Sequence, residues 1–120
     1  MNPKCVLYAE DEFTNRKLLE IRLHNNGINC DLANDGLEAF DRFQKKKYDL
    51  IILDQYMPGL NGDQVARKIR KISKDIPLIA ITSDDDEIAN LRDAGFNEVF
   101  IKPLRGQKYM EIIFKYIGKE

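Results

Sequence analysis

The side chains in this sequence that could do chemistry together are acids, a hydroxyl and an amine, each at the end of a short apolar run. They are Glu10 and Asp11, Asp54, Thr82, and Lys102. Uninterrupted apolar runs of this length are typical of strands buried on both faces. A carboxylate at the mouth of a buried strand costs desolvation free energy unless another group compensates its charge. Taken alone, Asp54 could equally cap or turn the loop before Pro58 and Gly59, but the whole set predicts one shared site.

Three carboxylates that converge need a compensating cation. Two unit charges about 4 Å apart repel by about 4 kcal/mol at an effective dielectric constant of about 20. The candidate ligands are all oxygens, with no histidine or cysteine near them in the sequence, and such a set favours Mg²⁺ before Ca²⁺. A carboxylate can attack phosphorus and form an acyl phosphate, whose charge an ammonium and a hydroxyl help to neutralise. The set therefore predicts Mg²⁺-dependent phosphoryl chemistry.

These side chains have to be positioned by strands and helices that alternate along the chain. Apolar spacing predicts the order βαβαβαβαβα, which implies an α/β fold with a five-stranded parallel sheet and helices on both faces. The apolar runs from Cys5, Leu50 and Leu78 predict central strands, whereas the alternating run from Ile28 predicts an edge strand. The flavodoxin-like (βα)5 order 2-1-3-4-5 satisfies this, with a crevice between strands 1 and 3 at their carboxyl ends. Asp54 ends strand 3 at that crevice and is therefore the predicted nucleophile.

Local signals predict where individual helices begin and which sides they bury. Thr14 is predicted to cap the first helix and Asp63 the third. His24, late in the first helix, is predicted at the surface. The apolar side of the first helix is predicted to consist of Leu18, Leu19, Ile21 and Leu23.

Composition indicates a globular chain of one domain, residues 1–120, with a balanced charge. The 120 residues include 19 basic and 20 acidic side chains, so the net charge is −1. This balance disfavours attraction to nucleic acid or to anionic lipid. Cys5 and Cys30 lack the spacing of a metal or redox pair. Since no apolar run approaches the length of about 18 residues that spans a membrane, we expect a cytoplasmic protein without a membrane or nucleic-acid partner.

Taken together, four motifs resemble one protein family across essentially the whole chain. They are Glu10-Asp11-Glu12, Asp54 with Met57-Pro58-Gly59 and Gly62, Thr82-Ser83, and Lys102-Pro103. In order and spacing these residues are similar to those of the response-regulator receiver domain of two-component and phosphorelay systems. Each motif is weak by itself, and the combination is highly specific.

The resemblance implies roles for the residues of the metal site. Asp54 would be the phosphoacceptor and would also contact Mg²⁺, with Mn²⁺ as an alternative ion. Asp11 would be a direct metal ligand, and Glu10 would act largely through metal-bound water. The backbone carbonyl of Tyr56 would complete the set of ligands.

The resemblance also implies roles for the remaining motifs. Thr82 would be the switch hydroxyl, and Lys102 would pair with the phosphoryl group and the carboxylate. The peptide bond before Pro103 would be cis, which proline permits at modest cost. Tyr56 and Asp84, two residues after Asp54 and Thr82, would tune the lifetime of the acyl phosphate, although a plain surface role for Tyr56 is equally consistent with the sequence.

The partners implied by the resemblance are a phosphodonor and a downstream target. The donor would be a histidine kinase or a histidine phosphotransfer protein. The target would be a protein that binds the face formed by helix 4, strand 5 and helix 5. The chain would not be a dedicated enzyme, since self-phosphorylation at Asp54 and slow autodephosphorylation are all that is expected.

Two positions depart from the pattern of the family. Glu10 stands where an aspartate is more common, and its extra methylene should still reach a metal-bound water. Val99 stands where the family usually carries the tyrosine or phenylalanine of a rotamer switch, while Phe100 belongs to the opposite face of the strand. The usual coupling between Thr82 and an aromatic ring is therefore in doubt.

Two other functions remain open from the sequence. One is a phosphate-independent docking module of the same fold, which only Val99 favours. The other is a phosphatase with an aspartyl nucleophile. That chemistry usually needs a second carboxylate two residues after the nucleophile, and Tyr56 stands there.

Overall fold

Five parallel strands form one sheet in the computed structural model, which describes residues 3–118. The strands are β1 (Cys5–Ala9), β2 (Asn29–Ala33), β3 (Leu50–Asp54), β4 (Leu78–Thr82) and β5 (Glu98–Ile101). The helices are α1 (Phe13–Asn25), α2 (Gly36–Lys45), α3 (Gly62–Arg70), α4 (Ile88–Ala94) and α5 (Lys108–Ile117), with a short 3₁₀ turn (Asp85–Glu87) before α4. The strand order is β2-β1-β3-β4-β5, which confirms the predicted flavodoxin-like fold.

Burial follows the position of each strand in the sheet. Every residue of β3 and β4 is buried, whereas β2 buries only Ala33 completely. A central strand is covered by helices on both faces, so both sets of alternating side chains have to be apolar. The prediction of two-sided burial for β3 and β4, and of an edge position for β2, is confirmed.

The helices pack on the two faces of the sheet as separate layers. Helices α2, α3 and α4 form the first layer, which buries among others Ala39, Val65, Ile69 and Leu91. Helices α1 and α5 form the second layer, which buries among others Leu19, Leu23, Tyr109 and Ile113. Alternate residues of β3 serve the two layers, so that the sheet is held rigidly between them.

Two predicted helix caps are wrong. The cap of α1 is Glu12 rather than Thr14, because the Glu12 carboxylate accepts a hydrogen bond at 2.8 Å from a backbone N–H of the first turn. The cap of α3 is Asn61 rather than Asp63, and the side chain of Gln64 accepts a hydrogen bond from the Asn61 N–H at 2.8 Å. In both helices an earlier residue already satisfies the free N–H groups, so the helix starts before the predicted cap.

The apolar side of α1 is narrower than predicted. Leu19 and Leu23 are buried against the sheet, but Leu18 and Ile21 are 63% and 54% exposed. Leu19 and Leu23 are four residues apart and therefore share one helix face, whereas Leu18 and Ile21 lie outside that face. His24 is exposed, as predicted.

Within residues 3–118, no helix combines the length and the apolar character needed to cross a membrane.

Candidate active site

The carboxyl ends of β1, β3, β4 and β5 meet at one edge of the sheet. Asp54 and Thr82 are the last residues of β3 and β4, while Glu10 and Lys102 follow β1 and β5 directly. The Glu10 N–H still donates to the carbonyl oxygen of Ala33 at 3.1 Å, and the Lys102 N–H to that of Thr82 at 2.8 Å. These four side chains therefore start from backbone that the sheet holds in place.

Three carboxylates converge at this edge. Oxygen atoms of Glu10, Asp11 and Asp54 lie within 4.8 Å of one another. Glu10 and Asp54 are buried, whereas Asp11 is exposed. The cluster is thus closed on the side of the sheet and open to solvent at Asp11.

Lys102 provides positive charge beside the two buried acids. Its Nζ donates a hydrogen bond to Asp54 Oδ2 at 3.0 Å and lies 3.3 Å from Glu10 Oε1. Burial opposes the charge of the ammonium, but the hydrogen bond and attraction of Asp54 and Glu10 outweigh it and raise the pKa of Lys102. One ammonium facing three carboxylates leaves a net negative charge at the site.

Glu10 is the acid most completely enclosed by the fold. Its carboxylate accepts hydrogen bonds from the hydroxyl of Tyr8 and from the backbone N–H of Glu12, each at 3.3 Å. The pKa of Glu10 is raised to about 7, first by burial and then by the adjacent Asp54, while Lys102 opposes the change. Near neutral pH, Glu10 therefore carries a proton part of the time unless a cation takes its place.

Thr82 links the site to the loop that precedes α4. Its side chain is buried, and its Oγ1 accepts a hydrogen bond from the backbone N–H of Asp84 at 3.2 Å. The half-buried Asp84 in turn caps the following 3₁₀ turn through a hydrogen bond from the Asp86 N–H at 3.0 Å. A movement of the Thr82 hydroxyl would therefore disturb the start of this loop.

Val99 and Phe100, the neighbouring residues of β5 at the position of the family's rotamer switch, lie on opposite faces of the sheet. Val99 is half-buried and packs against the first layer, whereas Phe100 is buried in the second layer. The Phe100 ring meets Tyr109 edge-on, with a centroid distance of 6.2 Å. The aromatic side chain of β5 is thus fixed in the α1/α5 layer.

The loop after β3 passes very close to Asp54. A Cβ at Gly62 would lie 2.6 Å from the carbonyl oxygen of Asp54. This is a steric clash, and a backbone atom cannot move out of the way as the end of a flexible side chain could. Tyr56, within this loop, is 48% exposed. The peptide bond between Lys102 and Pro103, on the other side of the site, is cis.

One residue of this region was missed by the sequence reasoning. Gln55 is 2% exposed, and both ends of its amide are used by distant parts of the chain. Its Oε1 accepts from the backbone N–H of Asp63 at 2.9 Å, and its Nε2 donates to Glu87 Oε1 at 3.1 Å. The available signal was a long polar side chain directly after Asp54, where the strand is still buried.

The residues present fit a hard divalent cation. The donor set consists of carboxylate oxygens alone, one of them exposed, and it carries more negative charge than Lys102 compensates. Oxygen-only sites with one or two carboxylates and room for water are typical of Mg²⁺. Beside this set, a cavity of about 420 Å³ opens between α1 and the start of α5, with Glu10, Lys102 and Leu18 in its lining.

Comparison with known proteins identifies the family. A family model described as the response regulator receiver domain matches residues 6–114. The chain belongs to this family. The resemblance expected from the four motifs is thereby confirmed.

Relatives of this receiver domain are found among curated proteins and solved structures. It is 35% identical over 104 residues to the response regulator MprA of Mycobacterium sp. (strain KMS), a match that covers 84% of this chain and 45% of that protein. This receiver domain therefore spans less than half of that relative's length.

Two crystal structures resemble this receiver domain closely. One is response regulator TrrA from Thermotoga maritima in complex with Mg(2+)-BeF, with a TM-score of 0.88, 34% identity, and coverage of 94% of this chain and 98% of that one. The other is the receiver domain of sensor histidine kinase PA1611 from Pseudomonas aeruginosa PAO1, with a TM-score of 0.90, 28% identity, and coverage of 98% and 100%. The latter has a magnesium ion coordinated in its active site cleft. Receiver domains act in two-component systems and are generally not dedicated enzymes.

Proposed function

We propose that this receiver domain accepts a phosphoryl group on Asp54 from a phosphohistidine of a histidine kinase or a histidine phosphotransfer protein. The observation that carries the proposal is the arrangement around Asp54. Its carboxylate ends a buried central strand, receives the Lys102 ammonium at 3.0 Å and lies within 4.8 Å of two further acids. A buried cluster of this kind has little structural value, because like charges destabilise it.

Transfer of the phosphoryl group needs only the phosphohistidine, Asp54 and a proton from solvent as reactants. A carboxylate oxygen of Asp54 forms a bond to phosphorus while the bond between phosphorus and the histidine nitrogen breaks. The electron pair of that bond leaves with the imidazole, which takes up a proton from solvent. Lys102, which donates to the Asp54 carboxylate before transfer, would donate to a phosphoryl oxygen afterwards and stabilise its charge.

Glu10, Asp11, Asp54 and the backbone carbonyl of Tyr56 would hold Mg²⁺, with Mn²⁺ as an alternative. The ion supplies neutralisation of the phosphoryl oxygens when it is bound. The resemblance to the family implies that the exposed Asp11 would contact the ion directly and that the buried Glu10 would act largely through metal-bound water. Glu10 gives up its proton when the site is occupied, because the cation replaces that proton as the compensating charge.

Thr82 acts as the sensor of the phosphoryl group. Its buried hydroxyl lies at the end of the strand next to β3 and can donate to a phosphoryl oxygen. In doing so it changes the contact that it now makes with the Asp84 N–H. Tyr56 and Asp84, two residues after Asp54 and Thr82 in the chain, tune how readily water reaches the acyl phosphate.

The output surface is the face formed by α4, β5 and α5, where a downstream protein would bind. Glu98 of β5 supports this assignment because it joins all three elements. Its carboxylate lies 3.7 Å from the Arg92 guanidinium of α4 and accepts a hydrogen bond from the Tyr116 hydroxyl of α5. The three elements are thereby coupled and can respond together.

Residues 1–120 act as one receiver domain in this proposal. It turns over no external substrate, and slow autodephosphorylation at Asp54 returns it to the resting state. A phosphatase is disfavoured because Tyr56 occupies the position where a second carboxylate would serve as acid and base.

A phosphate-independent docking module is the second candidate function. The observation that favours it is Val99, a half-buried side chain without a ring that could swing between two positions. This alternative predicts that partner binding is the same with and without a phosphodonor.

The proposal is tested by labelling with acetyl phosphate in the presence and absence of Mg²⁺. Intact mass spectrometry should show one added phosphoryl group in the wild-type protein with Mg²⁺, and none in Asp54→Asn. Asp41→Asn, at an exposed acid on α2, is the matched control and should label normally. Equal labelling of Asp54→Asn and wild type would disprove Asp54 as the acceptor, and no labelling of the wild type would favour the docking module.

A further inference from the structure

Gln55 joins three elements of the fold at the residue next to the phosphoacceptor. Its backbone is fixed twice, since its N–H donates to the Ile81 carbonyl and its own carbonyl accepts from the Gly62 N–H, each at 2.9 Å. Its side chain is buried and cannot turn toward solvent. Any displacement of the end of β3 is therefore carried directly into the Gln55 amide.

The two ends of this amide hold the starts of two different helices. Oε1 accepts from the Asp63 N–H in the first turn of α3 at 2.9 Å, which satisfies a group that a helix leaves without an internal partner. Nε2 donates to the carboxylate of Glu87, the residue immediately before α4, at 3.1 Å. A hydrogen bond to a charged acceptor is among the stronger ones.

Other polar contacts join α3 and α4 directly. Asn90 Nδ2 donates to Asp63 Oδ2 at 3.1 Å at the start of α3, while Arg67 donates to Asn90 Oδ1 at 3.4 Å and lies 3.2 Å from Asp93. The exposed ion pair adds little by itself, and none of these contacts involves the strand of Asp54. Among the hydrogen bonds of the described residues, the Gln55–Glu87 bond connects the start of α4 to the residue that follows Asp54.

The opposite side of the site offers a weaker connection. Val99 of β5 packs against the first layer through its methyl groups and has no polar atom or ring to report on Thr82. Within residues 3–118, the hydrogen-bond partner of the Thr82 hydroxyl is the backbone N–H of Asp84 in the loop before α4. A route from Asp54 to α4 through Gln55 is shorter, because Gln55 follows Asp54 in the chain and reaches Glu87 in one hydrogen bond.

We propose that Gln55 is a positioning residue that couples Asp54 to α4, by holding the start of α4 against the strand end that carries the phosphoacceptor. Phosphorylation then shifts the end of β3, and the Gln55–Glu87 bond passes that shift to α4. The transmission of a shift on phosphorylation rests on the proposed function, whereas the Gln55–Glu87 bond that holds the start of α4 is present in the resting protein.

Amide hydrogen exchange over residues 88–94 tests both halves. In the resting protein, Gln55→Met keeps the length of the side chain and removes both hydrogen bonds, so exchange in α4 should accelerate by about tenfold. Asn90→Ala removes the contacts of Asn90 with Asp63 and Arg67, which join α3 to α4 without involving β3, and is the matched control, expected to change exchange by about two- to threefold. Equal effects of the two variants would overturn a special role of Gln55.

The second measurement adds Mg²⁺ and beryllofluoride as a stand-in for the phosphoryl group. Wild type and Asn90→Ala should show a change in α4 exchange on addition, and Gln55→Met should show none although acetyl phosphate still labels Asp54 in it. Glu87→Ala removes the acceptor without touching α3 and should behave like Gln55→Met, which covers the case that Gln55→Met folds poorly. Glu87→Gln keeps an acceptor oxygen and should restore the response.

The outcomes separate this inference from the proposed function. If the wild type labels and Gln55→Met and Glu87→Ala still respond fully in α4, the coupling role is wrong while the phosphoacceptor role stands. If the wild type does not label, the proposed function and the transmission fail together, and the resting-state exchange alone decides whether Gln55 holds α4.

Discussion

Stability should fall as pH rises in the metal-free protein, and the cause is Glu10. Its pKa in the folded state is raised from the ordinary 4.5 to about 7, first by burial and then by the proximity of Asp54. In the unfolded chain the same group ionises at its ordinary value. The folded state therefore binds a proton more tightly than the unfolded state over the interval between the two values.

The direction and the size of the change in stability with pH follow from the difference in the pKa of Glu10 between the folded and unfolded states. Stabilisation by the Glu10 proton is complete below pH 4.5 and is lost as the pH rises through about 7. The largest possible loss is about 3 kcal/mol, since each pKa unit corresponds to about 1.4 kcal/mol. Asp31 has a pKa that hydrogen bonds from Tyr48 and Lys46 lower against the effect of burial. Its stabilisation is present above the ordinary value of 3.8 and is lost only as the pH falls below it, so it stays constant across this window.

Urea denaturation of the chelator-treated protein between pH 5 and pH 8 measures the effect. The free energy of unfolding of the wild type should decline across this range. With Mg²⁺ at about a hundredfold its Kd, about 2.7 kcal/mol should be recovered at the upper end, because the cation replaces the proton. Two variants isolate the group: Glu10→Gln should flatten the slope, whereas Glu98→Gln, at the other end of β5 from Lys102, should keep it.

A metal-free wild type whose free energy of unfolding is constant or rises between pH 5 and pH 8 would contradict a raised pKa of Glu10 in the folded state. A Glu10→Gln variant whose free energy of unfolding declines as steeply as that of the wild type would contradict it as well. Either result would mean that the carboxylates are hydrated or separated enough to ionise normally in the folded state.

Three further changes have defined outcomes. Gly62→Ala puts a Cβ 2.6 Å from the Asp54 carbonyl oxygen and should lower the free energy of unfolding by about 1–3 kcal/mol in urea denaturation; an unchanged free energy of unfolding would count against it. Lys102→Met removes the ammonium 3.0 Å from Asp54 and should slow acetyl phosphate labelling by about a hundredfold, a prediction that a wild-type rate would disprove. Tyr56→Ala should speed autodephosphorylation severalfold, because the exposed ring screens the acyl phosphate from water, and an unchanged half-life would indicate a purely surface role.

Much of the fold and the set of site residues could be predicted from the sequence because both depend on local patterns. A continuous apolar run such as Leu50 to Leu53 is compatible only with burial on both faces, and parallel strands bring their carboxyl ends to one edge. Glu10, Asp54, Thr82 and Lys102 could thus be assigned to one edge before any distance was known.

Predictions that depended on competition between neighbours were less successful. Thr14 and Asp63 are good capping residues, yet Glu12 and Asn61 begin the helices two positions earlier. No pattern in the sequence singles out Gln55, because its partner Glu87 lies 32 positions away in the chain. Such contacts exist only after the layers have packed.

The sequence by itself determined which chemical groups stand at the strand ends, since that follows from apolar period and residue order. Only the tertiary structure decided their state. It buried Glu10, left Asp11 exposed and brought Lys102 to 3.0 Å from Asp54. Protonation and charge balance depend on distance and on the exclusion of water, and both are properties of the packed sheet and helices rather than of any segment alone.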